Sequence, residues 1–322
     1  MARCASAKAP AKVILFGEHF VVEGKPAIVA AVDLYARVKA FDIRSSIVEA
    51  YSKNLSARGI VWPECSDSKL CFIGEIIKGV GIELGRIWPA RLIIDSEIPM
   101  GSGMGSSASV SVAATAAYLG LASLRPSPSI LERIALYGER LIHGKPSGVD
   151  VAIAVHGGVL FFRRDKGVLR KLTPRLDGVV LIVADSGIVR NTGIAVKLVL
   201  ERKKRLGKIG DNVYSLAEEI VMEAMKALES GDVTRLGELM DLNHGLLNAM
   251  GVSTPELERL AYEARKAGAL GAKITGAGLG GSIIALAEED KAENIVKALK
   301  RYAVRAYILN PGAKGVVVEE EC

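Results

Sequence analysis

The chain has 322 residues, 50% of them hydrophobic, with 42 basic and 36 acidic residues and a formal net charge of +6. That length exceeds what one core usually fills, so two well-packed domains are expected. The positive excess suits small anionic ligands but is too diffuse for a nucleic-acid face, and aromatics, at 5%, are too few for base stacking.

Residues 13–16, 27–32 and 36–43 are apolar runs separated by the turn Glu23, Gly24, Lys25, which predicts strands of an antiparallel sheet. The first run meets Glu18 and His19 too soon to be a secretory signal. Residues 90–94 form a further strand that feeds a glycine turn. Residues 107–121 predict a helix, because ATAAYLGLA is a helix composition and three glycines precede it; a short strand over 108–112 is the alternative. Leu131, Ile134, Ala135, Leu141 and Ile142 share one side of an amphipathic helix over 130–143. Strands are expected at 159–162 and 179–184, and 173–178, with Pro174 and Gly178, is the candidate linker. Beyond it, helices over 214–228, 233–247 and 255–267 and strands over 273–274, 281–287, 304–308 and 315–319 make the second half α+β. The block Arg202, Lys203, Lys204, Arg205 is expected to be a solvated helix face. No stretch reaches the ~18 apolar residues of a membrane span.

Cys4, Cys65, Cys71 and Cys322 have no metal-ligand spacing and no accompanying His cluster, so a reduced chain in the cytoplasm is expected. Glutamine is absent while charged residues are plentiful, a composition that fits a hot-living source.

Four segments carry chemistry. PMGSGMGSSAS, starting at Pro99, is neither a Walker loop nor a dinucleotide fingerprint, since no Lys follows its glycines and its sixth motif position is Ser106. It remains a turn whose backbone amides can cradle a polyphosphate, with a serine hydroxyl for phosphate or a metal. LYGERLIHGKPSGVD, ending at Asp150, carries Glu139 in a helix and presents Asp150 after a rigid turn. KAPAKVILFGEHFVV places Lys12 at the head of a strand and Glu18 and His19 after a glycine. TGAGLGGS, from Thr275 to Ser282, is a second glycine-rich loop. Taken singly, each has an ordinary structural explanation: a plain loop, a helix cap, a surface ion pair, a hairpin. Together they supply what phosphoryl transfer to an alcohol needs: a phosphate cradle, a metal held by a hydroxyl and a carboxylate, a carboxylate at the nucleophile and a cation.

These blocks, with KVILFGEHFVVEGKPAIVAAVD, GERLIHGKPSGVD, DSGIVRNT and DLNHGLLNAMGVSTPELERL, resemble the GHMP small-molecule kinases, and among them the mevalonate kinase branch, over nearly the whole chain. The resemblance implies a two-domain α+β fold. Residues 1–176 would form a βα domain with a left-handed βαβ crossover, and 177–322 a ferredoxin-like domain whose last strand packs back on the first. It implies Asp150 as the acceptor of the mevalonate 5-hydroxyl proton, Lys12 beside it, and Ser107 and Glu139 as Mg2+ ligands. Pro99, Met100, Gly101, Ser102, Gly103, Met104, Gly105, Ser106, Ser107, Ala108 and Ser109 would form the ATP phosphate loop. Residues 276–281 would back that loop from the second domain, and Glu18, His19 and Thr192 would contact mevalonate. It further implies a cytoplasmic homodimer acting in isoprenoid biosynthesis, without nucleic-acid or membrane partners. Other alcohols used in the family (homoserine, galactose, phosphomevalonate) are the alternatives. A non-catalytic metabolite sensor is the alternative of another class, against which Lys12, Glu139 and Asp150 all stand.

Overall fold

The computed structural model describes residues 3–144, 146–189 and 191–319. Lys145 and Arg190 of the quoted motifs, and Cys322, lie outside the described residues. In chain order the first half contains β1 (Cys4–Phe16), a 3-10 turn (Phe20–Glu23), β2 (Ala27–Asp42), β3 (Val48–Ser52), β4 (Ala57–Trp62) and α1 (Cys71–Leu84). It continues with β5 (Ala90–Ser96), α2 (Ser106–Leu121), α3 (Pro128–His143), α4 (Val149–His156), β6 (Val159–Arg163) and β7 (Gly167–Leu172). The second half contains β8 (Val179–Asp185), α5 (Thr192–Leu206), α6 (Lys208–Ser230), α7 (Val233–Ala249), α8 (Pro255–Lys266), β9 (Gly271–Thr275), β10 (Ser282–Glu288), α9 (Glu289–Leu299), β11 (Arg305–Leu309) and β12 (Val317–Glu319).

The first sheet runs β12-β1-β2-β5-β3-β4, with β6 pairing β2 and carrying β7. β1 starts nine residues before the expected strand, because Ala5, Ala7, Ala9 and Ala11 alternate inward and are buried, a period of two written in small residues. The two expected strands at 27–32 and 36–43 are one strand, β2. Its register against β1 slips at Pro10/Ala11, opposite Tyr35 and Val32, so Asp33 and Leu34 bulge where Pro10 offers no amide. β3 and β5 are parallel neighbours, joined through β4 and α1, in an otherwise antiparallel sheet.

α2 is the centre of the first half. It is a helix throughout, not a strand at 108–112, and its alanines, serines and valines are buried on almost every side. Small side chains allow that close approach, and the helix packs on β1, β2, α3 and α4. The second sheet is antiparallel in the order β11-β8-β10-β9, a βαββαβ arrangement of ferredoxin-like type, with α8 and α9 packed on it. The chain changes sheets between Leu172 and Val179, and β12 returns to pair with β1.

Two expectations are corrected. Cys65 and Cys71 are not reduced: they form a disulfide across a separation of six residues, with Cα atoms 5.5 Å apart. Cys4 is disulfide-bonded as well. Intracellular proteins of hyperthermophiles are rich in such bonds, so a disulfide does not by itself argue for export. The basic block on α5 is solvated only in part. Lys204 and Arg205 are exposed, but Lys203 pairs with Glu23 and Asp211, and Arg202 donates to the Ala249 carbonyl at 2.8 Å. No helix among the described residues is long and apolar enough to cross a membrane.

Candidate active site

Between β5 and α2 the chain turns through Gly101, Gly103 and Gly105, whose φ angles are 76°, 81° and 74°. L side chains resist that region, so the alternating glycines are a steric requirement of the turn, which gathers backbone amides into a concavity. Gly105 caps α2 without any side-chain acceptor, leaving the first amides of the helix for a ligand. The same glycine admits a neighbour: a Cβ on it would lie 2.9 Å from Lys12 Cγ. The Lys12 amide donates to the Met104 carbonyl at 2.9 Å, which ties β1 to the loop.

Lys12 is brought to Asp150. Its Nζ lies 3.2 Å from Asp150 Oδ1, with the lysine side chain 5% exposed and the aspartate 37%. Gly148, with φ 81°, occupies the cap position of α4, so Asp150 sits in the first helical turn and is not the cap. A desolvated ammonium beside a half-open carboxylate suits a site in which one group orients a hydroxyl and the other offsets negative charge.

Glu139, on α3, is 2% exposed. Ser107 Oγ donates to its Oε2 at 3.2 Å and Ser111 Oγ to its Oε1 at 3.4 Å, while His143 Nε2 lies 3.2 Å from Ser107 Oγ. Burial, and then the charge of Asp150, push the Glu139 carboxyl up to about 7. A buried acid with hydroxyl neighbours and a raised proton affinity is a group that gains from a nearby cation. Among the described residues no cluster of three or more His, Cys, Asp or Glu side chains could hold a metal. A divalent ion at Ser107 and Glu139 would therefore take its remaining oxygens from phosphate and water, as Mg2+ characteristically does.

These groups line one cleft of about 1170 Å³. Pro99, Met100, Gly101, Gly103, Gly105, Ser106 and Ser107 of the loop line it, together with Lys12, Glu139, Asp150, Glu18, His19 and Thr192. Ser102, Met104, Ala108 and Ser109 are buried and absent from its wall. Two of them lock the loop instead: Ser102 donates to the Pro99 carbonyl at 2.8 Å and Ser109 to the Pro10 carbonyl at 2.7 Å. From the second glycine loop Gly276 and Ala277 reach the cleft, and Ser282 donates to the Ser102 carbonyl at 3.1 Å.

Glu18 and His19 meet the second half of the chain. Glu18 is fully buried against Lys273, and Asn243 Nδ2 donates to its other oxygen at 3.3 Å. His19 donates from Nε2 to the Ala277 carbonyl at 2.8 Å. Thr192 opens α5 at the cleft, behind the cap Asn191, whose side chain accepts from the Ile194 amide. Sequence reading missed Lys273, Asn243, Ser111 and His143. Ser111 had a signal, since it stands four residues after Ser107 on one face of α2.

Family comparison matches residues 72–158 to the GHMP kinases N terminal domain and 224–305 to the GHMP kinases C terminal domain. The chain is 39% identical to the mevalonate kinase of Aeropyrum pernix over 99% of its own length and 100% of that relative's. It superposes on the crystal structure of L. major mevalonate kinase in complex with R-mevalonate with a TM-score of 0.82 at 30% identity, covering 95% of this chain and 96% of that one. Against the Methanococcus jannaschii mevalonate kinase the TM-score is 0.85 at 26% identity, covering 95% and 98%.

Proposed function

The chain belongs to the mevalonate kinase branch of the GHMP kinase family, and on that premise we propose that it transfers the γ-phosphoryl group of ATP to the 5-hydroxyl of (R)-mevalonate with Mg2+ as metal. The product, 5-phosphomevalonate, belongs to isoprenoid biosynthesis. The observation that carries the assignment of roles is the contact of Lys12 with Asp150 directly beside Gly105, where α2 begins.

The β and γ phosphates lie over the amides of the glycine turn and the start of α2, where the helix dipole adds to the attraction. Asp150 accepts a hydrogen bond from the 5-hydroxyl and takes its proton as the new O–P bond forms and the bond to the ADP oxygen breaks. In a loose transition state the attacking oxygen has little bond to phosphorus, so alignment and charge cancellation outweigh prior deprotonation. Lys12 keeps the hydroxyl and carboxylate in register and offsets developing negative charge. Ser107 and Glu139 would hold Mg2+, which neutralises phosphate charge when bound. Of the residues lining the cleft, we assign His19 and Thr192 to the substrate end and the wall formed by Asn54, Leu55, Lys69 and Phe72 to the nucleoside end. The ATP-loop role of Ser102, Met104, Ala108 and Ser109 is to shape the backbone. We assign residues 1–176 and 177–322 to the two domains, with β12 shared back to the first, and expect a cytoplasmic homodimer, which size-exclusion chromatography with light scattering tests.

A coupled assay of ADP release tests the substrate. Mevalonate should support turnover far above homoserine, galactose or phosphomevalonate, and omission of Mg2+ should abolish it. Preference for another alcohol would reassign the substrate, and ATP binding without turnover on any alcohol would favour the sensor.

A further inference from the structure

Glu18 and Lys273 are both fully buried, stand 255 residues apart, and form an ion pair between the turn that leaves β1 and strand β9 of the other sheet. Lys273 Nζ also donates to the Ile274 carbonyl at 2.6 Å. Asn243 of α7 adds a second hold: its Nδ2 donates to Glu18 Oε2 at 3.3 Å and its Oδ1 accepts from the Gly17 amide at 3.5 Å. Flanking contacts repeat the pattern. The Ile14 amide donates to Thr275 Oγ1 at 3.0 Å, that hydroxyl donates to the Ile14 carbonyl at 3.2 Å, and His19 bonds the Ala277 carbonyl.

The held segment needs holding. His19 has φ 61° and ψ −47°, a strained positive-φ conformation that non-glycine residues rarely adopt, closed by the Phe20 amide on the Glu18 carbonyl at 2.7 Å, and Gly17 has φ 92°. Such backbone persists only where its surroundings enforce it, and it clusters at ligand sites. Apolar side chains would join the two halves as firmly as a fully desolvated ion pair, so cohesion alone does not explain these charges. What the pair adds is direction: both Glu18 oxygens are engaged, so the carboxylate fixes the turn and is not a ligand for the alcohol.

We propose that Lys273, assisted by Asn243, is a positioning residue that clamps Glu18 and thereby sets the strained His19 turn at the alcohol end of the cleft. This rests on the proposed placing of the alcohol beside residues 17–19. Substrate recognition by the first half of the chain thus depends on a cation supplied by the second half, while the nucleotide end does not.

The test compares KM values in the full-length enzyme. Lys273→Met should raise KM for mevalonate about tenfold or more, with KM for ATP within about twofold of wild type. That variant leaves a lone buried carboxylate and is prone to unfold. The double variant Glu18→Gln/Lys273→Met buries no charge; it should melt near the wild-type temperature and still show the raised mevalonate KM, a split that a merely cohesive role would not produce. A double variant with wild-type mevalonate KM, or an equal rise in both KM values, overturns the proposal. Wild type assayed alongside separates the two readings. Should it favour another alcohol, the substrate assignment fails, and the same pair of KM values measured with that alcohol still decides the role of Lys273.

Discussion

Glu139→Gln separates the electrostatics of the proposed metal carboxylate from everything else in the cleft. Burial, reinforced by Asp150, holds the Glu139 carboxyl at about 7 against an ordinary 4.5. That difference corresponds to roughly 3 kcal/mol at 1.36 kcal/mol per pH unit. Without metal, the native state keeps a proton that the unfolded chain has lost between those two values. The resulting stabilisation is fully present below pH 4.5 and is lost as pH rises through 7. Glutamine carries no such proton, so the stability difference between variant and wild type should shift in favour of the variant by about 2.5 kcal/mol between pH 5 and pH 8. At a few degrees per kcal/mol this is a readily measured change in melting temperature. Scanning calorimetry in EDTA across that range reads it, because ionisations remote from Glu139 cancel in the difference. Metal should reverse the preference. Binding needs the carboxylate, so wild-type affinity for Mg2+ in the presence of ATP should tighten as pH rises toward 7 and level off above it, and the variant should lack this slope. Melting curves of the two proteins that stay parallel from pH 5 to pH 8 would refute the account of Glu139.

Asp150→Asn keeps the shape of the site and removes the proposed proton acceptor, so kcat should fall about 10²- to 10⁴-fold while a non-hydrolysable ATP analogue binds within a few-fold of wild type by calorimetry. A variant that retains a tenth of wild-type kcat contradicts the role given to Asp150. Gly105→Ala forces a Cβ to 2.9 Å from Lys12 Cγ at φ 74°, which costs about 1–2 kcal/mol for the left-handed backbone alone. Both KM for ATP and kcat should worsen, and unchanged kinetics would show that the loop tolerates the added methyl. Cys65→Ser/Cys71→Ser opens the small loop ahead of α1, for which chain entropy gives about 2 kcal/mol; melting should drop a few degrees under oxidising conditions with kcat unchanged.

The outline of the candidate site was legible in the sequence because it depends on local grammar. Alternating glycines before a small-residue helix, and a helix followed by Gly, Pro, Ser and an acid, fix backbone directions within a dozen residues. Hence Lys12, Glu139, Asp150 and the paired serines could be singled out, the family resemblance chose Ser107 of that pair, and the structure brings these residues to one cleft. The run from Pro99 to Ser109 was legible as a loop but not side chain by side chain, since whether Ser102 faces a ligand or the Pro99 carbonyl depends on what packs beneath it. β1 was read nine residues short because alternating alanines carry little β signal by composition. α1, with Gly74, Gly79 and Gly81, was missed for a related reason: those glycines weaken the helical pattern, yet Gly74 and Gly79 are where β4 and Tyr137 come close. The Cys65–Cys71 bond and the Glu18–Lys273 pair were not legible at all. Each is a matter of proximity in space, and for Lys273 nothing nearby in the sequence distinguishes a buried cation from an ordinary strand lysine.

The most direct measurement is a crystal structure of the enzyme with (R)-mevalonate and a non-hydrolysable ATP analogue in Mg2+. The account predicts the 5-hydroxyl within hydrogen-bond reach of both Lys12 and Asp150, in line with a γ-phosphate seated on the amides of the glycine turn, and the metal on Ser107 and Glu139. A hydroxyl bound away from Asp150, or phosphates seated elsewhere in the cleft, would contradict it.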